Sequence, residues 1–129
     1  MINFNLKAYQ WHQDMNIIMQ NVNLERIEFL NDRSMSFCFL NSYDGGFCRK
    51  ILCKNVWKFS EDINLDRNDT FPFFICDVKT IKLEKSNVED AFRYFRYSLE
   101  IPKSNNLYLL CMDSGDISIA LICEVVEVL

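Results

Sequence analysis

Glycine, proline and histidine are scarce in this chain, and their scarcity excludes several kinds of site. The 129 residues include only three glycines, two prolines and one histidine. Phosphate-binding loops and dinucleotide-binding motifs need several glycines at fixed spacing, so neither is expected. A serine or cysteine nucleophile needs a neighbouring base, and His12 is the one histidine that could serve. The sequence therefore predicts no nucleophilic triad and no catalytic residue of this type.

Long apolar segments and an excess of positive charge are also missing. No segment approaches the roughly 20 apolar residues that a membrane-spanning helix requires. Lys7, His12 and Asp14 interrupt the stretch in which a signal peptide would be apolar. The formal net charge is −4, which disfavours nucleic acid as a partner, because that binding depends on basic side chains that displace counterions. We therefore expect a cytoplasmic protein that binds neither membrane nor nucleic acid.

Cysteine is plentiful by contrast, but it is not arranged for chemistry. The chain has six cysteines, each preceded by an apolar residue: Cys38, Cys48, Cys53, Cys76, Cys111 and Cys123. Free cysteine packs as a small apolar side chain, so this placement predicts reduced thiols in strand interiors and a reducing compartment. Cys48 follows an Asp-Gly turn and is expected to react first. A secreted protein with three disulfides is the alternative.

Metal and cofactor sites are not expected. Cys48 and Cys53 have a spacing found at some zinc sites, but no second close pair accompanies them. Acidic residues are common in the turns, and they offer the alternative of a carboxylate-using hydrolase or nuclease. The candidates are Asp62, Asp66, Asp69, Asp113 and Asp116. Turn formation is the simpler role for such acids, so no catalytic, metal or cofactor residue is assigned.

The apolar pattern changes period along the chain. In residues 3–20, Trp11, Met15, Ile18 and Met19 recur at helical spacing, which predicts an amphipathic helix. Alternating patterns then predict two strands joined at residues 31–33, and a third strand from Phe47 to Phe59. Residues 60–70 are expected to be a loop.

The second half of the chain contains strand patterns and one more helix. A fourth strand is predicted over residues 71–84, with a bulge near Lys79 and Thr80. Ser86 and Glu89 match a capping box, which predicts a helix ending before Pro102. Its apolar face has Val88, Ala91, Phe92, Phe95 and Leu99. A hairpin over 107–112 and 117–128 follows.

These elements predict one globular domain over residues 1–129 with an α+β fold. We expect a mostly antiparallel, curved sheet of six to seven strands, with two packed helices. Arginine and tyrosine are enriched at binding hot spots, and they cluster on the polar side of the second helix. The predicted partner-binding residues are Arg93, Tyr94, Arg96, Tyr97 and Trp57. Trp57 and Phe59 are expected to be exposed together, on the face opposite Val56.

Three apolar segments of the C-terminal half carry a family resemblance. Residues 73–78 (FFICDV), 107–115 (LYLLCMDSG) and 119–124 (IALICE) resemble the YxiG-like group of uncharacterised small bacterial proteins, over about Glu25 to Val128. The resemblance rests on apolar strands and a turn glycine. It implies a bacterial cytoplasmic protein, and small acidic proteins of this type are often immunity partners of secreted toxins.

The expected function is that of a non-enzymatic protein-binding module. In its most specific form, the protein is an immunity-type inhibitor whose acidic residues cover a basic toxin domain. The alternatives are the carboxylate-using enzyme and a structural subunit that forms a homo-oligomer through exposed aromatic residues. The sequence predicts no oligomeric state.

Overall fold

The fold was obtained as a computed structural model of the chain. It describes residues 15–64, 71–95, 101–103, 106–115 and 117–129, without the side chains of Phe47, Cys48 and Tyr94. The six strands are β1 (Asn16–Leu30), β2 (Ser34–Asn41), β3 (Phe47–Ile63), β4 (Phe73–Leu83), β5 (Leu107–Asp113) and β6 (Ile117–Val128). One helix, α1 (Val88–Tyr94), lies between β4 and β5.

The strands form a closed antiparallel barrel. Their order around the barrel is β1-β2-β3-β6-β5-β4, and β1 pairs with β4 to complete the ring. β1 pairs with β4 along its first part and with β2 along its second part. β3 is the longest strand and pairs with β6 from Ile51 to Ile63.

Successive residues of a strand point to opposite faces, so alternate residues of each strand point into the barrel. Apolar side chains at these positions fill the interior. The largest fully buried side chains there include Phe37, Phe39, Ile51, Ile75, Leu110 and Leu121. A second apolar cluster lies outside the barrel, where α1 covers strands β4, β5 and β6. In this cluster Ala91, Phe92 and Phe95 of the helix region are at most 6% exposed. Val88 packs at its edge, so the predicted apolar face of the helix is confirmed for these four residues.

The predicted α+β fold with two packed helices is wrong. Antiparallel pairing is confirmed, but the sheet closes into a six-stranded barrel, and α1 is the one helix of the described residues. The predicted helix over residues 3–20 is replaced by β1 from Asn16 onward, while its first part lies outside the described residues.

Irregular pairing in β1 explains why its sequence resembles a helix. The register with β4 shifts between Ile17 and Met19, and Asn21 has a φ of 55°. These irregularities place both Met19 and Val22 in the core, three residues apart, although a regular strand would alternate. A bulged strand can therefore show the three-residue spacing of a helix.

Other boundaries also differ from those expected. The turn at residues 31–33 and the hairpin of β5 and β6 are confirmed, but β3 continues to Ile63 through the first part of the predicted loop. The helix N-cap is Asn87, without a side-chain capping bond, so the capping box of Ser86 and Glu89 is wrong. The helix ends at Tyr94, well before Pro102. The bulge expected near Lys79 occurs on its partner strand, at the register shift described above.

No helix within the described ranges has the length and apolar content needed to cross a membrane.

Candidate functional site

Three exposed apolar side chains, the half-buried Phe59 and an exposed arginine lie together where the β1–β2 turn meets β3. We call this group the aromatic surface, and define it by Phe29, Leu30, Arg33, Trp57 and Phe59. These residues border a shallow groove of about 240 Å³. Phe29 is 72% exposed, Leu30 42% and Trp57 38%. Exposed apolar side chains are common singly, but a contiguous group of them marks an interaction site.

A bulge in β3 brings Trp57 to the outside of the barrel. Asn55 has a φ of 53°, and the register with β6 shifts between Val56 and Lys58. Val56 and Phe59 both pack against the interior core, although three positions separate them. The prediction that Trp57 and Phe59 are exposed together, opposite Val56, is therefore wrong for Phe59, because the bulge reverses the alternation.

Two polar partners hold the Trp57 ring. Its Nε1 donates a hydrogen bond to Oε2 of Glu124 on β6, at 3.1 Å. The guanidinium carbon of Arg33 lies 4.3 Å from the ring centroid, a cation–π contact. Such contacts contribute about 0.5–1 kcal/mol at exposed sites. The indole is therefore fixed in position while part of its surface remains open to solvent.

Arg33 is held in an unusual backbone conformation. Its φ is 55° and that of Asp32 is 59°, both in the left-handed region that favours glycine. For a residue such as arginine this conformation costs roughly 1–2 kcal/mol. The Arg33 carbonyl accepts a hydrogen bond from the Val56 N–H at 2.8 Å, which ties the turn to β3. Glycine would adopt this conformation without strain, so the presence of arginine suggests that its side chain has a function.

Phe29 extends the surface along β1. Its ring meets that of Phe59 edge to face, with centroids 5.6 Å apart and an interplanar angle of 90°. One side of Phe29 is thus supported by a side chain that packs against the core, and the other is open to solvent. Rigidly supported aromatic side chains lose little entropy when a partner binds.

Of the predicted site on the helix, the structure describes one side chain, Arg93, which does not line the groove of the aromatic surface. Arg93 is exposed, but its guanidinium lies 3.8 Å from Glu89 and 3.7 Å from Asp90 on the same helix. The side chain of Tyr94 is not described, and Arg96 and Tyr97 lie outside the described residues. Of the two predicted partner-binding residues whose side chains are described, Trp57 lies in a group of exposed apolar side chains and Arg93 does not.

The sequence interpretation missed Phe29, Leu30 and Arg33. A signal was present, since Phe29 and Leu30 are consecutive apolar residues directly before a polar turn. Neighbours in a strand point to opposite faces, so one of the two had to be exposed. The contact of Arg33 with Trp57 had no such signal, because residues distant in sequence meet only through the pairing of β2 with β3.

The cysteines are partly as predicted. Cys38, Cys53, Cys111 and Cys123 are buried free thiols, whereas Cys76 is exposed, contrary to expectation. Burial and the nearby Asp113 carboxylate raise the pKa of Cys111 to about 12. The pKa of Cys53 is also raised, first by a hydrogen bond with Cys123 and then by burial. These thiols stay protonated near neutral pH, as unreactive core residues do.

Metal-ligating groups do not gather in the described part of the chain. No three or more His, Cys, Asp or Glu side chains there could hold a metal ion together. Asp113 accepts a hydrogen bond from the Ser118 hydroxyl at 3.1 Å, next to the β5–β6 turn. Asp66, Asp69, Asp116 and His12 lie outside the described residues.

Comparison with known proteins gives a family and a fold. A crystal structure of an uncharacterized protein from Neisseria gonorrhoeae matches 88% of this chain and 95% of its own, with a TM-score of 0.64 and 19% identity. At that identity the likeness shows a shared fold alone. No curated protein matches. A protein-family model with the description "-like" matches residues 17–129 of this chain.

These findings correct the predicted resemblance to the YxiG-like group. Neither the family model nor the Neisseria structure points to that group. The resemblance rested on apolar strands and one turn glycine, which antiparallel β proteins of many families share. Because this family model matches most of the sequence, the chain belongs to the family that the family model represents.

Proposed function

We propose that this protein is a non-enzymatic module that binds another protein through the aromatic surface. The observation that carries the proposal is Arg33, which is kept in a left-handed conformation against a partly exposed tryptophan. Tryptophan and arginine are the residue types most enriched at binding hot spots. Phe29 and Leu30 add exposed apolar area beside them.

The more specific proposal is an immunity-type inhibitor of a basic toxin domain. The net charge of −4 supports it, because long-range attraction to a basic domain would speed association. Arg33 and Lys58 give the border of the aromatic groove itself a positive character. In this proposal the apolar residues supply affinity, and acidic residues elsewhere on the surface supply the attraction.

A pair of double variants tests the aromatic surface. F29S/L30S removes two exposed apolar side chains from it, while I17S/Y43S removes two from other places. Ile17 is 52% exposed and Tyr43 is 93% exposed, so both variants should fold. The three proteins are used as baits in cells that make the natural protein, captured proteins are identified by mass spectrometry, and affinities are measured with the purified partner.

We expect F29S/L30S to bind the partner at least about tenfold more weakly, the equivalent of 1.4 kcal/mol, and I17S/Y43S to bind like the parent. Equal loss in both variants would contradict the proposal. For the inhibitor of a basic domain, the association rate should fall as salt rises, and co-expression should relieve the partner's toxicity. A parent dimer in sedimentation that F29S/L30S makes monomeric would instead favour a homo-oligomeric subunit.

A further inference from the structure

A second groove, distinct from the aromatic surface, lies between the end of β4 and the start of β5. It has a volume of about 780 Å³. Its walls come from β4, the turn before α1, residues 101–103 and Leu107. The aromatic surface is built by β1, the β1–β2 turn and β3, and the described linings of the two grooves share no residue.

The charge of this groove opposes that of the chain. Lys82, Lys85 and Lys103 line it, and Glu84 is the one carboxylate among its described lining residues. The whole sequence has a net charge of −4, so the groove is a local positive region on an acidic protein. A cluster of one sign in a concave site raises the local concentration of oppositely charged ligands.

Among the described residues, no acidic side chain pairs with these three lysines. Elsewhere on the barrel Lys54 pairs with Glu127 at 3.1 Å, and Lys79 lies 3.8 Å from Asp77. Within the described ranges, no ion pair involves the three lysines of the groove. Their ammonium groups are exposed and available to a ligand's carboxylates.

Aliphatic side chains form the rest of the lining. Leu83 and Leu107 are buried at its base, with 6% and 2% exposure, while Ile101 is 38% exposed at its rim. Val88 and Pro102 complete this apolar part. Nucleic acid would need aromatic side chains on which bases could stack, and the described lining contains none. A ligand that has aliphatic side chains between acidic groups matches this lining better than nucleic acid does.

The turn that carries Lys85 is fixed before any ligand binds. The Glu84 N–H donates to Oδ1 of Asn87 at 2.8 Å. The N–H groups of Asn87 and Val88 donate in turn to the Glu84 carbonyl, at 3.1 and 2.9 Å. A preformed turn lowers the entropy cost of binding.

We infer that this groove binds an acidic peptide segment, whose carboxylates pair with Lys82, Lys85 and Lys103 and whose aliphatic side chains contact Leu83 and Ile101. The inference goes beyond the proposed function, because it concerns a separate surface with its own ligand chemistry.

The test uses a fluorescent peptide of alternating glutamate and leucine, with binding followed by anisotropy. K82Q/K85Q/K103Q removes the three lysines of the groove. R49Q/K50Q/K54Q removes the same charge from β3, outside the groove, as the matched control. Glutamate–serine and lysine–leucine peptides test the apolar and charged parts of the ligand, and an oligouridine RNA tests nucleic acid.

We expect K82Q/K85Q/K103Q to weaken binding of the glutamate–leucine peptide about tenfold, since exposed ion pairs contribute about 0.2–1 kcal/mol each. The β3 variant should bind within about twofold of the parent, as should F29S/L30S. The other two peptides should bind more weakly. Equal loss in both lysine variants, equal binding of the glutamate–serine peptide, or tighter binding of RNA would overturn the inference. F29S/L30S acts on the other surface, so failure here leaves the proposed function standing.

Discussion

Arg33 combines a strained backbone conformation with a side-chain contact that a glycine could not make. Its left-handed backbone would be relaxed by glycine, while the cation–π contact with Trp57 needs the guanidinium. The two effects are similar in size and opposite in sign for stability. For binding they do not cancel, because only the side chain reaches a partner.

We therefore predict that R33G changes the free energy of unfolding by less than about 1 kcal/mol and still weakens partner binding. Urea unfolding and titration calorimetry with the captured partner measure the two quantities. D32G, which relaxes the neighbouring left-handed residue and leaves Arg33 in place, is the control. Unchanged binding by R33G would remove Arg33 from the site.

Cys76 is the residue whose exposure the sequence failed to predict. Phe73 and Ile75 are buried, so regular alternation leaves Cys76 outside, and the alternation slips only after it, before the buried Val78. Among the five described thiols, we predict that Cys76 alone reacts fast with a disulfide reagent in the native state, and that C76S loses this phase. The buried Cys111, whose pKa is raised to about 12, should react only on unfolding. A fast phase that survives in C76S would assign it to another cysteine, with C48S as the next variant.

Among the strands, regular alternation of apolar and polar residues could be recognised in the sequence, whereas the positions of β-bulges could not. The β1–β2 turn and the β5–β6 hairpin follow from polar residues between alternating apolar ones. Asparagine tolerates the left-handed backbone angles of Asn21 and Asn55, but the chain has many asparagines and its sequence does not mark which of them adopt these angles. Two consequences were missed: the strand character of residues 16–20 and the packing of the half-buried Phe59 against the core. Barrel closure was missed as well, since it depends on β1 meeting β4.

Helix α1 depends on packing for its stability. Seven residues are too few for an isolated helix to be stable in water. Phe92 is 2% exposed in the cluster between the helix and the barrel, whereas Arg93 points to solvent. We predict that F92A lowers the free energy of unfolding by about 3–5 kcal/mol, and that R93A changes it by less than about 0.5 kcal/mol, both measured in urea. A loss below about 1 kcal/mol in F92A would show that the helix contributes little to the fold.

At the scale of the whole molecule, stability depends on strand pairs that are distant in sequence. The end of β6 pairs Val126 with Cys53 and Val128 with Ile51. Beyond it, the Leu129 N–H donates to the Lys50 carbonyl at 2.8 Å. These pairs hold the first half of β3 on the side away from β2.

We predict that deleting residues 126–129 lowers the free energy of unfolding by at least about 3 kcal/mol, because several backbone hydrogen bonds of about 1 kcal/mol each are lost with the packing of Val126. E127Q is the control, since it breaks only the exposed ion pair with Lys54 and should cost at most about 1 kcal/mol. Thermal or urea unfolding measures both. If the truncated chain were as stable as E127Q, the stability of the barrel would not depend on the pairing of residues 126–129 with β3.

The pairing of β3 with β6 also sets the order in which the chain can fold as it is synthesised. The nearest paired residues of the two strands are Ile63 and Ile117, and the farthest are Ile51 and Val128. A ribosome adds about 5–20 residues per second, so β3 must wait for seconds before its partner strand emerges. During that time the apolar face of β3, with Ile51, Cys53 and Val56, has no strand beside it on the β6 side. Unpaired strands with exposed apolar side chains are prone to aggregation, so we expect a nascent chain of this protein to be vulnerable to it during this interval.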